Sequence, residues 1–245
     1  MGKQFRFVDI STIDFPECLD LTKYDLENNN RDKIIYILKI INEAIPQNNI
    51  FGIIDRDILQ YTRELNNLPQ NLFLTDFSCI EMYFFCPRSI AKVQQQTFHF
   101  ITEEIINKLQ LLTANFSLIV IAEKKLDLSI QKISSDKLYN SKYMDFNNFS
   151  FDLDKYLRGC LTLSCLSKEY NSINNEIDKV KPIILSENPT IFINGHNFIN
   201  ILTGFISQHK QFKHIKEQEV CSIYKNAVET DFLTDFELFK KLKNI

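Results

Sequence analysis

The sequence predicts an α/β fold, with a parallel-sheet core at the front and a mainly helical C-terminal elaboration. Three observations lead there. Asn49-Ile50-Phe51-Gly52-Ile53-Ile54 is a continuous apolar run ending at Asp55, the pattern of a strand covered on both faces. From Phe5 to Leu74, strand-like and helix-like segments alternate in a βαβ rhythm. Beyond about Ser89 the apolar residues recur mainly at helical spacing. A chain of 245 residues is long for one small domain and short for two ordinary ones. The expected division is an α/β core over 1–90 and a helical region over 91–245 packed on it.

Taken in order, Phe5-Arg6-Phe7-Val8-Asp9-Ile10 reads as a short strand. Asn28-Asn29-Asn30 supplies a cap for a helix from about Arg31 to Ala44, with Ile34, Ile37, Leu38 and Ile41 on one face. Pro46 and the following Asn pair stop it. Asn71-Leu72-Phe73-Leu74 is a third strand, followed by a helical segment that begins near Ser78 and has Pro87 close to its end. Thr97 to Leu112 reads as a helix with Phe98, Ile101, Ile105, Ile106 and Leu109 as its apolar stripe. Phe116 to Leu126 suits helix or strand, and periodicity does not decide. Residues 127–151 read as loop with short strands. Asp152 then caps a helix running to about Leu166. Glu176 to Val180 reads as a short helical turn before Pro182, and Asn197–Gln208 and Asp231–Asn244 as helices. No internal repeat or Gly/Ser linker separates the halves.

Composition narrows the classes. Hydrophobic residues at 44% and charged residues at 24% exclude wholesale disorder. No run approaches the ~18 uninterrupted apolar residues of a membrane span. Met1 opens onto Gly2-Lys3-Gln4 without a signal-peptide core, so the expectation is a cytoplasmic protein with no membrane association. The six cysteines form no C-x-x-C pair and read as reduced, mostly buried thiols. The 33 Ile and 23 Asn suit an AT-rich bacterial genome, a bias that also inflates apparent strand propensity. A net charge of −3 and a pI of about 5.9 argue against a generic basic nucleic-acid binder, while leaving room for a metal site or a local basic groove.

The sharpest chemical feature is Phe51-Gly52-Ile53-Ile54-Asp55-Arg56-Asp57. An apolar strand ending in Asp-x-Asp sets two carboxylates at the C-terminal edge of a parallel sheet, where open α/β folds hold their ligands. In an extended strand residues two apart point the same way, so both could face one hard cation such as Mg2+. The same residues also suit an Asp-rich turn. After the next apolar strand, Leu74-Thr75-Asp76-Phe77-Ser78-Cys79-Ile80 leads to Glu81, a carboxylate in an apolar setting. Glu81 also suits a first-turn residue favoured by the helix dipole.

The strand-Asp-Arg-Asp, Leu-Phe-Leu-Thr-Asp-Phe and Ile-Glu segments resemble the Toprim fold of overcoming-lysogenization-defect nucleases. They are closer still to the Toprim-like family of AriB-type effectors in the PARIS anti-phage defence system. Ile193-Asn194-Gly195-His196-Asn197-Phe198-Ile199 resembles that family's step into a C-terminal helix, with Asn197 where an acid is usual. The likeness spans roughly residues 5 to 205. It implies a nuclease in which Asp55, Asp57 and Glu81 are catalytic and hold Mg2+ or Mn2+. It further implies RNA, such as tRNA, or DNA as substrate, an AAA/ABC-type ATPase of the same system as partner, and homodimerisation after release. The Toprim pattern begins with a strand bearing Glu, usually as Glu-Gly, and a helix. This sequence reads as starting after that unit, since Asp9, Asp14 and Glu17 do not match it.

Further candidates for contact with nucleic acid are Lys124, Lys125, His196, Lys210 and Lys213. Lys124-Lys125 could meet a phosphate or form a solvated pair. His196 could orient a phosphate, act as an acid or cap a helix. Lys210 and Lys213 belong to His209-Lys210-Gln211-Phe212-Lys213-His214-Ile215-Lys216, the most basic stretch, which suits phosphate contact or a solvated face. Two other functions stay open. One is a catalytically incomplete Toprim-like module that binds a partner ATPase or nucleic acid. The other is a haloacid-dehalogenase-like phosphatase with Asp55 as nucleophile and Asp231 and Asp235 as its late acidic pair, although Leu59 stands where Thr or Val is usual.

Overall fold

The computed structural model describes residues 6, 8–15, 20–24, 26–57, 68–133, 143–186 and 188–244. Among the described residues the fold is mixed α/β, mostly helical with a small parallel sheet. Two compact units divide the chain. One comprises Met1–Asp55 and Glu64–Thr75, the other Arg56–Arg63 and Asp76–Ile245.

In the first unit Asn29 caps helix α1 (Asn30–Ala44), its side-chain oxygen accepting from the Asp32 N–H at 2.9 Å. Ile35 and Leu38 on the buried face of α1 are 4% and 2% exposed. Strand β1 (Gly52–Ile54) pairs in parallel with β2 (Leu72–Leu74), Gly52 opposite Leu72 and Ile54 opposite Leu74. Both strands expected here therefore form, in the expected direction. Gly52 is required by close approach. A Cβ there would stand 2.7 Å from Ile34 Cγ2 and from Leu38 Cδ1, so a larger residue would push α1 off the sheet.

The strand expected over residues 5–10 is absent from those of its residues that are described. The Asp9 carboxylate instead accepts from the Ser11 N–H and hydroxyl, both at 2.8 Å, and turns the chain into a 3-10 turn at Ile10–Thr12. Such a local side-chain bond offers the backbone an alternative to a sheet ladder. Phe5 and Phe7 lie outside the described residues.

The second unit contains helices α2 (Pro87–Gln96), α3 (Glu103–Lys125), α4 (Leu153–Leu163), α5 (Tyr170–Ser186), α6 (Gly195–Ser207), α7 (Glu217–Ala227), α8 (Thr230–Leu233) and α9 (Glu237–Lys243). A two-residue ribbon, β3 (Met144–Asp145) against β4 (Ser150–Phe151), is antiparallel. At its centre α3 packs against α5 and α6, with Ile106, Leu109, Ile121 and Ala122 fully buried. The ambiguous segment 116–126 is thus the second half of one long helix. The acids Glu103 and Glu104 in its first turn and Lys124 and Lys125 in its last match the helix dipole. By length and composition α3 could cross a membrane, and about two-thirds of its most apolar stretch is buried inside this unit.

Several helix limits differ from expectation for local reasons. Helix α3 starts after Thr102, whose hydroxyl accepts from the Ile105 N–H, so Phe98 and Ile101 are buried ahead of it in a turn. Pro87 opens α2, where its missing N–H costs nothing, and the segment before it is a 3-10 helix, Ile80–Phe85. Glu176 to Val180 is the interior of α5, which runs on through Pro182. The last expected helix breaks into α8 and α9 between Thr234 and Phe236. Asp152 caps α4 as expected, accepting from the Lys155 N–H at 3.0 Å.

Candidate functional site

β1 ends at Ile54, and Asp55 follows as an exposed residue that closes the first unit's opening stretch. Asp57 belongs to the second unit and has φ of 46°, the left-handed region that Asp tolerates better than most residues. The backbone has left extended geometry there, so strand alternation does not run through the Asp-x-Asp. Its conformation is held by its own N–H, which donates to the Ser78 carbonyl at 2.7 Å.

Ser78 links three segments of the second unit. Its N–H donates to the Thr190 carbonyl at 3.0 Å, and its buried hydroxyl lies within donating distance of the Thr190 and Ile193 carbonyls. The Asp57 backbone, the loop leading to Glu81 and the chain entering α6 therefore meet at one serine. Nothing in the sequence marks it, because its partners lie 112 and 115 residues away.

Glu81 is the second residue of the 3-10 helix Ile80–Phe85, with its side chain 22% exposed. Helix α6 begins directly against it. A Cβ on Gly195 would lie 3.0 Å from both Glu81 Cβ and Glu81 Oε2, and 2.8 Å from Cys79 Sγ. Glycine at the first helical position is what lets α6 approach so closely. Asn194 caps α6 through the Asn197 N–H at 3.2 Å, so Asn197 stands in the first turn of the helix. His196 projects beside Glu81, with its Nε2 4.0 Å from Glu81 Oε1 and its side chain 84% exposed. On α7, burial and then the Glu81 charge push the Cys221 thiol up from its ordinary value.

Lys124, in the last turn of α3, brings its Nζ within 3.9 Å of Asp57 Oδ2. Both side chains are nearly half exposed, and such a pair contributes only ~0–1 kcal/mol. Of the candidate carboxylates, Asp57 thus has a nitrogen partner on α3, Lys124, and Glu81 one on α6, His196. Lys125 instead adds its field at Glu176, whose carboxyl is held below its usual range first by Lys179. Lys210 and Lys213 lie exposed on the 3-10 turn Lys210–Phe212 and just after it. Asp231 and Asp235 sit 3.5 and 3.8 Å from the Arg88 guanidinium, and Leu59 lies outside the described residues. Among the described residues no group of three or more His, Cys, Asp or Glu side chains gathers in a metal-ligating cluster.

One neighbour of the site was not singled out by sequence reasoning. Asp76 accepts from the N–H groups of Glu237 and Leu238, each at 3.1 Å, and from the Tyr83 hydroxyl at 2.6 Å. It caps α9 from 161 residues away. Compared with known protein families, curated proteins and solved structures, the chain matches none.

Proposed function

We propose that this chain is a metal-dependent nuclease with a Toprim-like core, an effector of bacterial anti-phage defence that cleaves RNA or DNA. The observation that carries the reading is the pairing of Asp57 with Lys124 and of Glu81 with His196, with the Asp57 and Glu81 segments joined through Ser78. Carboxylates are the donors a hard ion prefers, and Mg2+ is commonly held by one or two of them, its other positions going to water and substrate phosphate. Asp57 and Glu81 fit that donor set. The Lys124 contact with Asp57 is long and half-exposed, so it holds the lysine only weakly. When bound, Mg2+ or Mn2+ supplies charge stabilisation and an activated water. Lys124 would meet the scissile phosphate, and the exposed His196 imidazole would donate a proton to the leaving oxygen. In this reading the protein is cytoplasmic, is restrained by an AAA/ABC-type ATPase and dimerises on release.

The test is Mn2+ titration by calorimetry alongside cleavage of labelled tRNA and single-stranded DNA. Asp57→Asn and Glu81→Gln are expected to abolish metal uptake and cleavage while the far-UV dichroism stays unchanged. A folded wild-type protein that takes up neither Mg2+ nor Mn2+ overturns the reading. A second reading, a catalytically incomplete module that binds a partner ATPase or nucleic acid, is favoured by the lack of a three-residue ligand cluster among the described residues. It predicts nucleic-acid binding without metal-dependent cleavage.

A further inference from the structure

The turn after α6 carries a surface separate from the carboxylate pairs. From Gln208 to Lys216 the chain contains three lysines, two histidines and no acid, and Lys210, Lys213, His214 and Lys216 are exposed. The turn is a fixed structure. The N–H groups of His209, Phe212 and Ile215 donate to the carbonyls of Ile206, His209 and Phe212 at 2.8–3.1 Å. Its own His209 and Phe212 join a group of partly buried rings. The His209 imidazole stacks on Phe100 with centroids 3.6 Å apart and planes 21° from parallel. Phe205 meets His209 edge-on at 6.1 Å, and Phe212 lies 5.9 Å from Phe100. Ring surface bordered by lysines is the combination that binds unpaired bases and their phosphates together. A duplex hides its bases from such a surface, and an acidic peptide uses the lysines but leaves the rings without a partner.

We infer that the Phe100–His209 stack and the Lys210–Lys213 turn form a docking surface for single-stranded nucleic acid. The inference rests on the reading that the chain acts on nucleic acid, and it narrows the substrate to an unpaired segment. The lysines hold the phosphate backbone while a base extends the Phe100–His209 stack.

The test is fluorescence anisotropy with a labelled 20-nucleotide oligouridylate, a duplex of equal length and an abasic strand, in EDTA so that nothing is cleaved. Wild type is expected to bind the oligouridylate at least fivefold more tightly than the abasic strand or the duplex. Lys210→Gln with Lys213→Gln lowers the slope of log affinity against log salt by about 1.4, since each phosphate contact to a single strand contributes ~0.7. His209→Ala removes most of the preference for bases and leaves the salt slope unchanged. Equal binding of oligouridylate, abasic strand and duplex overturns the proposal, as does wild-type affinity in these variants. Cleavage by a protein whose turn variants bind normally refutes this surface and leaves the nuclease reading standing. Binding through the turn without cleavage under any metal does the reverse.

Discussion

Replacing Asp76 with Ala removes one carboxylate that serves two elements at once. Its Oδ1 and Oδ2 accept from the first two amides of α9, each at 3.1 Å, and Oδ2 also accepts the Tyr83 hydroxyl at 2.6 Å. The losses differ in size. Glu237 is exposed but Leu238 is buried, so water replaces only part of what the two helix amides lose, and losing such a cap costs ~1 kcal/mol. Tyr83 is only 1% exposed and wedged among Phe77, Phe236 and Phe239, so its hydroxyl proton is left without water, at a cost of ~2 kcal/mol. The expected loss is about 3 kcal/mol, or a drop in Tm of roughly 6–12 °C for a chain of this size. Asp76→Asn keeps an acceptor and loses the charge, and is expected to cost ~1 kcal/mol. The assay is urea denaturation of wild type, Asp76→Ala, Tyr83→Phe and the double variant, with hydrogen exchange read at Glu237 and Leu238. A coupling of ~1–2 kcal/mol between the two sites, with faster exchange at both amides, is expected. Wild-type stability in Asp76→Ala, or strict additivity with Tyr83→Phe, would refute the argument. A pH consequence follows from the same contact. Burial first and the Asp76 hydrogen bond second push the Tyr83 phenol well above its ordinary value of 10. A raised folded-state pKa contributes stability that is complete below that ordinary value and lost as pH rises through the folded one. The alkaline limb of the stability curve is therefore expected to flatten in Tyr83→Phe.

Two further substitutions test the interior. The Tyr224 hydroxyl is buried and has no hydrogen-bond partner among the described residues, while its ring packs 4.6 Å from Phe85, centroid to centroid. Tyr224→Phe keeps the ring and removes the desolvated oxygen. It is expected to stabilise by ~1 kcal/mol in urea melts, and a loss of stability would mean that the hydroxyl has a partner. Gly195→Ala sets a helix-propensity gain of at most ~1 kcal/mol against contacts at 2.8 Å with Cys79 Sγ and 3.0 Å with Glu81. Overpacking costs ~1–3 kcal/mol, so the net change is expected to destabilise. Adding Cys79→Ala should recover part of the loss, whereas no rescue and no initial loss would show that α6 does not bear on Glu81.

Where expectation and structure agree, the signal was local and repeated. Helix α1 carries its own cap at Asn29 and its own stop at Pro46, and α4 carries Asp152, although of the four face residues expected on α1 only Leu38 is fully buried, together with Ile35. The run ending at Ile54 and the one ending at Leu74 had the continuous apolar pattern of covered strands, and they pair in parallel. Where they disagree, one local bond or one distant partner decided. The Asp9–Ser11 bonds turned Val8–Ile10 away from a strand. The 3-10 geometry of Ile80–Phe85 and the first-turn place of Pro87 in α2 reversed the reading of a proline as a stop. The second half of α3 resolved as helix only through burial against α5 and α6, since a segment apolar on nearly every side has no periodicity to read.

The sequence by itself determined that the chain mixes α and β elements, and it determined which residue types could carry chemistry. Apolar period, caps and the Asp-x-Asp are local properties, written within a few residues of one another. Only the tertiary structure decided which of those residues meet. Asp57 faces a lysine at the far end of α3, Glu81 lies under a glycine 114 positions on, and Asp76 caps a helix at the end of the chain. These contacts join segments whose separation in sequence carries no pattern. What brings them together is the burial of helix faces that the sequence shows to be apolar without showing against what.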